Sequence, residues 1–265
     1  MSLVFTILGC GSSGGVPRVA QGWGACDPLE PRNRRRRCSA LIERTDGAGR
    51  TLALIDAGPD VREQLIGAKV GRLDAVLLSH PHADHTHGID DLRPITIATR
   101  KRVDVYMDTP TSADVRLKFG YIFDSPPGSS YPPIAVERRL TSGVEVKIDG
   151  PGGVISATPF ELEHGDIPAL GFRVGGLAYT PDLNGVPEDA APFLEGLDVW
   201  VIDALRYSPH PSHLSLKESL ALIEKFRPRR AVLTNLHTDL DYATLRQSLP
   251  PGVRPAYDGM RLEGF

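Results

Sequence analysis

The sequence predicts an α/β fold, classed as α+β in some schemes, in which short strands alternate with helices. Short apolar runs recur between turn signals along all 265 residues, and several intervening segments carry apolar residues at helical spacing. No repeat or low-complexity linker divides the chain. With 41% hydrophobic residues, the chain can build a substantial core. We therefore expect one domain spanning residues 1–265.

Apolar runs of strand length occur from the N-terminus onward, each bounded by glycine, proline or polar residues. The predicted strands are 3–8, 39–42, 51–55, 76–78, 103–106, 144–148, 154–160, 170–174, 177–179, 199–202 and 231–233. Near the C-terminus, the segment Tyr257-Asp258-Gly259-Met260 has the composition of a tight turn, and we expect it to close a terminal hairpin.

Helical spacing of apolar residues predicts further elements between these strands. The predicted helices are 59–66, 111–119, 188–194, 215–226 and 242–249. The helix from 215 is the best marked, because Ser215 and Glu218 stand at capping-box spacing. Four prolines within residues 124–133 predict an irregular loop there.

The overall composition limits the classes of function. A formal net charge of −3 leaves no general basic field for an extended nucleic acid. We find no basic-then-apolar leader and no membrane-spanning run, so the expected compartment is the cytoplasm, with no membrane partner. The three cysteines, Cys10, Cys26 and Cys38, show no pairing pattern and are expected to be reduced thiols.

The most informative segment is His80-Pro81-His82-Ala83-Asp84-His85, which directly follows an apolar run. Imidazole nitrogens and carboxylate oxygens are ligands of Zn²⁺ and similar divalent ions. In an extended stretch His80 and His82 point the same way, so they can share one ion. Asp84 and His85 follow a turn, where a helix is predicted over 84–92, and can face a second ion. The alternative is a loop of solvent-facing histidines.

Other candidate ligands lie just past the predicted strands or in the loops that follow them, where α/β sheets gather their sites. They are His164, Asp182, His213 and His237. Asp56 ends another strand and is a candidate to orient a ligand imidazole. His87 and His210 have no such position, and we expect them to be solvated or structural.

Two motifs could contact a phosphate. The run Gly9-Cys10-Gly11-Ser12-Ser13-Gly14 matches a dinucleotide-binding G-x-G-x-x-G, but no helix-forming segment follows it, as that motif requires. A glycine-rich loop near the metal site, offering amides to a phosphate, fits better. The basic run over residues 32–37 is either a solvated loop or a source of phosphate-binding guanidinium groups.

Together these residues resemble the metallo-β-lactamase fold superfamily. The resemblance rests on His80-x-His82-x-Asp84-His85, on Leu54-Ile55-Asp56-Ala57-Gly58 before it, and on the later His164, Asp182 and histidine after them. The opening 8–17, Arg37-Cys38-Ser39 and the closing Tyr257-Asp258-Gly259-Met260 are similar to the branch containing phosphoribosyl 1,2-cyclic phosphate phosphodiesterase. Ribonuclease Z is more distant. The resemblance implies a four-layer αββα metallo-β-lactamase sandwich.

The resemblance also implies a role for each candidate. One divalent ion is held by His80, His82 and His164, a second by Asp84, His85 and His237, and Asp182 bridges them. His213 corresponds to an active-site histidine that is not a ligand. Two departures matter. Cys26 lacks the companion cysteines of the branch, so no structural zinc is expected. The late motif is Thr234-Asn235-Leu236-His237, without histidine after the threonine, and His237 is assigned as the only imidazole nearby.

The expected function is a metal-dependent phosphodiesterase that hydrolyses a small cyclic phosphate ester of ribose or a nucleotide. The expected cofactors are two divalent ions, zinc or manganese, although such ligands also accept iron. His213, Asp84 and Asp182 are the expected catalytic residues, with His213 protonating the leaving oxygen. Alternatives are a thioester or lactone hydrolase of the same fold, and a non-catalytic protein that binds metal or nucleotide. A homodimer is a possible assembly.

Overall fold

The computed structural model describes residues 2–265 and arranges their strands in two sheets. In chain order the strands are β1 Ser2–Gly9, β2 Ser39–Asp46, β3 Gly49–Ile55, β4 Ala75–Leu77, β5 Val103–Met107, β6 Ala135–Arg139, β7 Val146–Ile148, β8 Ile155–His164, β9 Ile167–Val174, β10 Leu177–Thr180, β11 Val199–Asp203, β12 Arg230–Thr234, β13 Val253–Pro255 and β14 Met260–Glu263.

Helices connect these strands. They are α1 Val61–Gly67, α2 Ala83–Thr86, α3 Arg93–Thr99, α4 Thr109–Phe119, α5 Leu216–Phe226 and α6 Tyr242–Ser248. Short 3₁₀ turns cover Pro31–Asn33, Ile89–Leu92, Gly120–Ile122 and Ala191–Leu194. The capping box predicted for α5 is present: the Ser215 side chain accepts from the Glu218 amide, and the Glu218 carboxylate accepts from the Ser215 amide.

Both sheets are mixed. The first has the order β14-β1-β2-β3-β4-β5-β6 and the second the order β13-β12-β11-β10-β9-β8-β7. Strands β3 to β6 run parallel, as do β10 to β13, whereas β1, β2 and β14, and β7 to β9, pair antiparallel. Parallel neighbours present their carboxyl ends at one edge of each sheet, which is where the candidate ligands were expected.

The alternation of side-chain direction along each strand explains why both faces of each sheet are covered by apolar contacts. Ile42 and Val201 belong to the apolar cluster shared by the two sheets. Their chain neighbours Leu41 and Trp200 face the other way, into two outer clusters that each sheet forms with its own helices. Three apolar layers separate four layers of secondary structure because successive strand residues point to opposite faces. The predicted αββα sandwich is confirmed.

Some predicted elements differ from the structure. The terminal turn does not close a hairpin, because β13 pairs with β12 in the second sheet and β14 pairs with β1 in the first. The polar edge strand β6 and the helix α3, which carries a proline in its first turn, had no recognised pattern. The segment 188–194 forms only the short turn Ala191–Leu194. No helix among residues 2–265 has the length and apolar character needed to cross a membrane.

Candidate metal centre

The first donor group is formed by three histidines from two sheets. His80 follows β4 and is fully buried, and His164 is the last residue of β8. The Nε2 atom of His80 lies 3.0 Å from Nδ1 of His82, and Nε2 of His164 lies 3.2 Å from the same atom. These three rings can offer their nitrogens to one ion. The structure thus brings together the three residues that the resemblance assigns to one ion.

A second donor group shares Asp182 with the first. Oδ1 of Asp182 lies 3.4 Å from Nε2 of His85, which is also 3.4 Å from Oδ2 of Asp84. The other carboxylate oxygen of Asp182, Oδ2, lies 3.8 Å from Nε2 of His80 and 3.8 Å from Nε2 of His164. Asp182 therefore offers one oxygen to each group, as a bridging ligand would.

Hydrogen bonds on the far side of the rings fix which nitrogen is free. Nδ1 of His85 lies 2.7 Å from Oδ2 of Asp56, and the Ser79 hydroxyl donates to the same oxygen at 2.9 Å. Since the Ser79 proton is used there, its oxygen accepts from Nδ1 of His80, 2.9 Å away. Nδ1 of His164 donates to the Ser212 carbonyl at 2.6 Å. Nε2 of His80 and of His164 consequently turns its lone pair into the cluster, and Nε2 of His85 faces the cluster with a proton that a metal ion would displace.

Protonation of the site follows from burial and from the carboxylates. Burial lowers the pKa of His80 well below its usual range, and burial also lowers the pKa of His82 and His164. His85 differs: burial opposes its charge, but Asp182, Asp84 and Asp56 outweigh burial and raise its pKa. Nitrogen ligands must be unprotonated to bind a metal. His80, His82 and His164 are already in that state.

The donor set fits divalent cations. Three lone pairs converge with the oxygens of Asp84 and Asp182, and an array of acceptors of this kind is repulsive unless a proton or a cation lies among them. The proton that these carboxylates favour on His85 occupies such a position. A mixture of imidazole nitrogens and carboxylate oxygens suits zinc and manganese. The residues that would hold the ions are His80, His82, Asp84, His85, His164 and Asp182.

A glycine explains how the Asp84 turn reaches this place. A Cβ atom on Gly58 would lie 1.9 Å from the backbone carbonyl oxygen of Asp84, a distance that no side chain allows. The Ala57 amide donates to the His85 carbonyl at 2.8 Å. The segment after β3 therefore packs directly on the backbone of α2, and this contact accounts for the glycine in the Asp56-Ala57-Gly58 sequence.

A histidine and aspartate pair adjoins the donor groups, and its histidine, His213, could itself form a third donor group with His164 and Asp182. Nδ1 of His213 lies 2.9 Å from Oδ2 of the buried Asp203, the last residue of β11, and 3.9 Å from Oδ2 of Asp182. Burial alone lowers the pKa of His213, but the hydrogen bond and charge of Asp203, with the charge of Asp182, raise it to about 9. Because Nδ1 is bound to Asp203, Nε2 carries the proton that His213 can give to a substrate.

His237 is not brought to this cluster. Its Nε2 lies 2.6 Å from Nη1 of Arg18, and its Nδ1 lies 3.2 Å from the Thr238 hydroxyl and 3.4 Å from Oδ1 of Asp239. None of the donor groups found among residues 2–265 includes it. Instead Asn235, two residues earlier, contacts Asp182 and His213. The ligand role predicted for His237 has no support in these contacts.

The two remaining histidines lie as expected from their positions in the chain. His87 is exposed and its ring packs edge-on against Phe119, with 5.4 Å between ring centroids. Nδ1 of His210 accepts from the amide of Ser212 at 3.3 Å. Neither belongs to a donor group within the described chain.

The glycine-rich loop and the basic run bind each other. The amides of Gly11 and Val16 donate to the carbonyls of Arg36 and Arg35, so these amides are not available to a phosphate. Arg35 is buried and donates to the carbonyls of His237 and Leu240. Arg36 pairs with Asp258 and Arg37 with Asp60. These contacts give Arg35, Arg36 and Arg37 structural partners, which weakens the phosphate-binding interpretation.

Sequence reasoning missed several residues of the site. Ser79 and Ser212 orient ligands through a hydroxyl and a carbonyl, and neither residue type signals a metal site. Asp203 directly follows the predicted strand 199–202, as Asp182 follows the predicted strand 177–179, so its position could have been a signal. Asn235 also follows a strand, but asparagine does not by itself signal a metal site.

A two-sheet αββα sandwich with histidine and aspartate donor groups at one edge defines the metallo-β-lactamase-fold class of metal-dependent hydrolases. The chain belongs to the β-lactamase superfamily: residues 51–235 match the family model for the beta-lactamase superfamily domain. The resemblance drawn from the motifs is thereby confirmed.

The chain is also similar to individual proteins with described activities. A solved structure described as a new diphosphatase from the PhnP family is 32% identical, with a TM-score of 0.88 over 100% of this chain and 98% of that one. An octanoyltransferase of Porphyromonas gingivalis is 34% identical over 96% of this chain and 50% of its own length. A ribonuclease Z of Staphylococcus carnosus is 24% identical over 76% of this chain and 58% of its own. The chain thus spans about half the length of these curated relatives.

Cys26 provides a first test of this metal assignment. Its thiol lies 3.9 Å from Nη1 of Arg35, and it belongs to no donor group in the described residues. Cys26→Ser should leave the metal content unchanged, because a tetrahedral structural site needs companion ligands. Elemental analysis of wild type and variant checks this, and the loss of one tightly bound zinc would contradict it.

Proposed function

We propose that this protein is a metal-dependent phosphodiesterase that hydrolyses a small cyclic phosphate ester of ribose or a nucleotide. The observation that carries the proposal is the cluster in which one oxygen of Asp182 faces His85 and the other faces His80 and His164, with the hydrogen-bonded pair of His213 and Asp203 beside it. A phosphoryl group carries negative charge and expels an alkoxide. It therefore needs both cationic neutralisation and a proton donor.

Different residues of the chain would contribute to charge neutralisation, ligand orientation and proton donation. The two donor groups would hold divalent ions, which when bound would activate water and neutralise phosphoryl charge. Asp56, Ser79 and the Ser212 carbonyl hold the ligand rings in the orientation that keeps Nε2 free. Asp203 fixes His213 through Nδ1, so that the Nε2 proton is available to a leaving oxygen. Asp84 and Asp182 bring the negative charge that retains cations at the site.

The comparisons support phosphate chemistry more than acyl chemistry. The diphosphatase structure matches this chain along its whole length at 32% identity, and ribonucleases Z are more distant relatives. The octanoyltransferase is a longer protein, and the region similar to this chain makes up 50% of its length. We therefore take its acyl-transfer activity as a property of that whole protein, and we expect phosphate esters to be the substrates here.

A substrate screen tests the proposal. Protein loaded with zinc or manganese would be assayed against ribose and nucleotide cyclic phosphates, linear diesters, diphosphate esters, thioesters and lactones. We expect the largest kcat/KM for a cyclic phosphate. A preference for thioesters or lactones over every phosphate compound would contradict the proposal, and a preference for diphosphate esters would replace the substrate class.

A further inference from the structure

The residue after β12 enters the site in an unusual backbone conformation. Asn235 has φ of 59° and is 3% exposed. Asparagine tolerates this left-handed region better than most residues. The Leu236 amide donates to the Cys10 carbonyl at 2.8 Å, which holds the segment in place. The turn at Asn235 points its own side chain toward Asp182, while His237 is carried to Arg18.

The Asn235 amide touches the second donor group. Its Nδ2 lies 3.3 Å from Oδ1 of Asp182, the same oxygen that faces His85 at 3.4 Å. The first group has three imidazoles and one oxygen of Asp182. The second group has only His85, Asp84 and the other oxygen of Asp182. It therefore has one ligand fewer than the first group. Besides His85, the Asn235 side chain is the polar group that contacts Oδ1 of Asp182.

The contacts of the Asn235 side chain depend on whether its Nδ2 or its Oδ1 faces Asp182 and His213. When Asp203 is an ionised carboxylate, Nδ1 of His213 carries the proton of their 2.9 Å contact, yet Nδ2 of Asn235, also a donor, lies 3.1 Å from the same nitrogen. A half turn of the amide places Oδ1 there and converts this contact into a hydrogen bond. The same turn sets Oδ1 against the Asp182 carboxylate, an arrangement that a cation held between the two oxygens would stabilise.

We infer that Asn235 completes the second metal position through its amide oxygen, and that His237 is not a ligand. The inference rests on the proposed metal-dependent function and deepens it. The first position is then rich in nitrogen and the second rich in oxygen, from Asp84, Asp182 and Asn235 with only His85 as imidazole. Oxygen ligands suit manganese, whereas imidazoles favour zinc. Zinc should therefore fill the first position, and manganese should compete best at the second.

Metal titration without substrate tests this inference. Metal-free protein would be titrated with zinc chloride or manganese chloride by calorimetry, and bound ions counted by elemental analysis after dialysis. Wild type should bind two ions, one of them more weakly. Glycine adopts the backbone conformation of residue 235 without strain. The variant Asn235→Gly should therefore lose the second ion, or its affinity for that ion should fall by at least roughly 10–100-fold, the range seen for groups that only orient ligands.

Two further variants identify the atom responsible. Asn235→Asp keeps an oxygen in place and should retain the second ion, whereas His237→Ala should bind both ions like wild type. Two full-affinity ions in Asn235→Gly, or loss of one ion in His237→Ala, would overturn the inference. A thermal melt of each metal-free variant verifies folding. Because no substrate is used, failure of the phosphodiesterase proposal would leave this result unchanged, and the reverse also holds.

Discussion

His82→Ala should reduce hydrolysis by at least about 100-fold and remove at least one bound ion. Nδ1 of His82 lies 3.0 Å from Nε2 of His80 and 3.2 Å from Nε2 of His164, so it is the shared point of the first donor group. Groups that only orient a ligand already change activity or metal affinity by roughly 10–100-fold, and a ligand should do more. Elemental analysis and steady-state kinetics on the same preparation measure both effects.

The chain offers a matched control for this substitution. His87 is exposed like His82 and lies five residues later, but it contacts Phe119 rather than the cluster. Truncating either exposed ring leaves no buried cavity, so both variants should melt near the wild-type temperature. His87→Ala should keep its ions and its activity. Equal losses in the two variants would show that the motif has been misassigned.

The local motif could be predicted because its ligands are close in sequence. His80 and His82 share a face through strand periodicity, and Asp84 and His85 follow through a turn, so no knowledge of distant pairing was needed. His164 and Asp182 were found by a weaker rule, that strand ends gather sites. The order of strands in the second sheet then brought both of them beside His80.

What could not be predicted depends on backbone geometry and on pairing between distant strands. A single positive φ at Asn235 decides which side chain enters the site, and no periodic pattern records that angle. The residues of the terminal turn are typical of a hairpin, yet the strands on its two sides pair in different sheets. Asp203 acquires its role only because β11 lies between β10 and β12.

His213→Ala should slow hydrolysis of a ribose cyclic phosphate by roughly 10²–10⁴-fold, the usual contribution of a positioned general acid. Nδ1 of His213 is held by Asp203 at 2.9 Å, so Nε2 is left to protonate the leaving oxygen. A sugar alkoxide needs that proton, whereas nitrophenolate is a good leaving group without it. The variant should therefore retain most of its activity on a nitrophenyl phosphodiester. Kinetics on both substrates give the contrast.

The pH profile gives the same test a second readout. The acid acts only while protonated, and the charges of Asp203 and Asp182, against burial, raise the pKa of His213 to about 9. Wild-type activity on the ribose substrate should therefore fall at alkaline pH as His213 loses its proton, and this fall should be absent for the nitrophenyl substrate. His87→Ala is the control, since His87 contacts Phe119 rather than the cluster, and its pH profile should match that of the wild type. If His213→Ala instead loses both activities together with an ion, His213 acts as a ligand and the proton donor lies elsewhere.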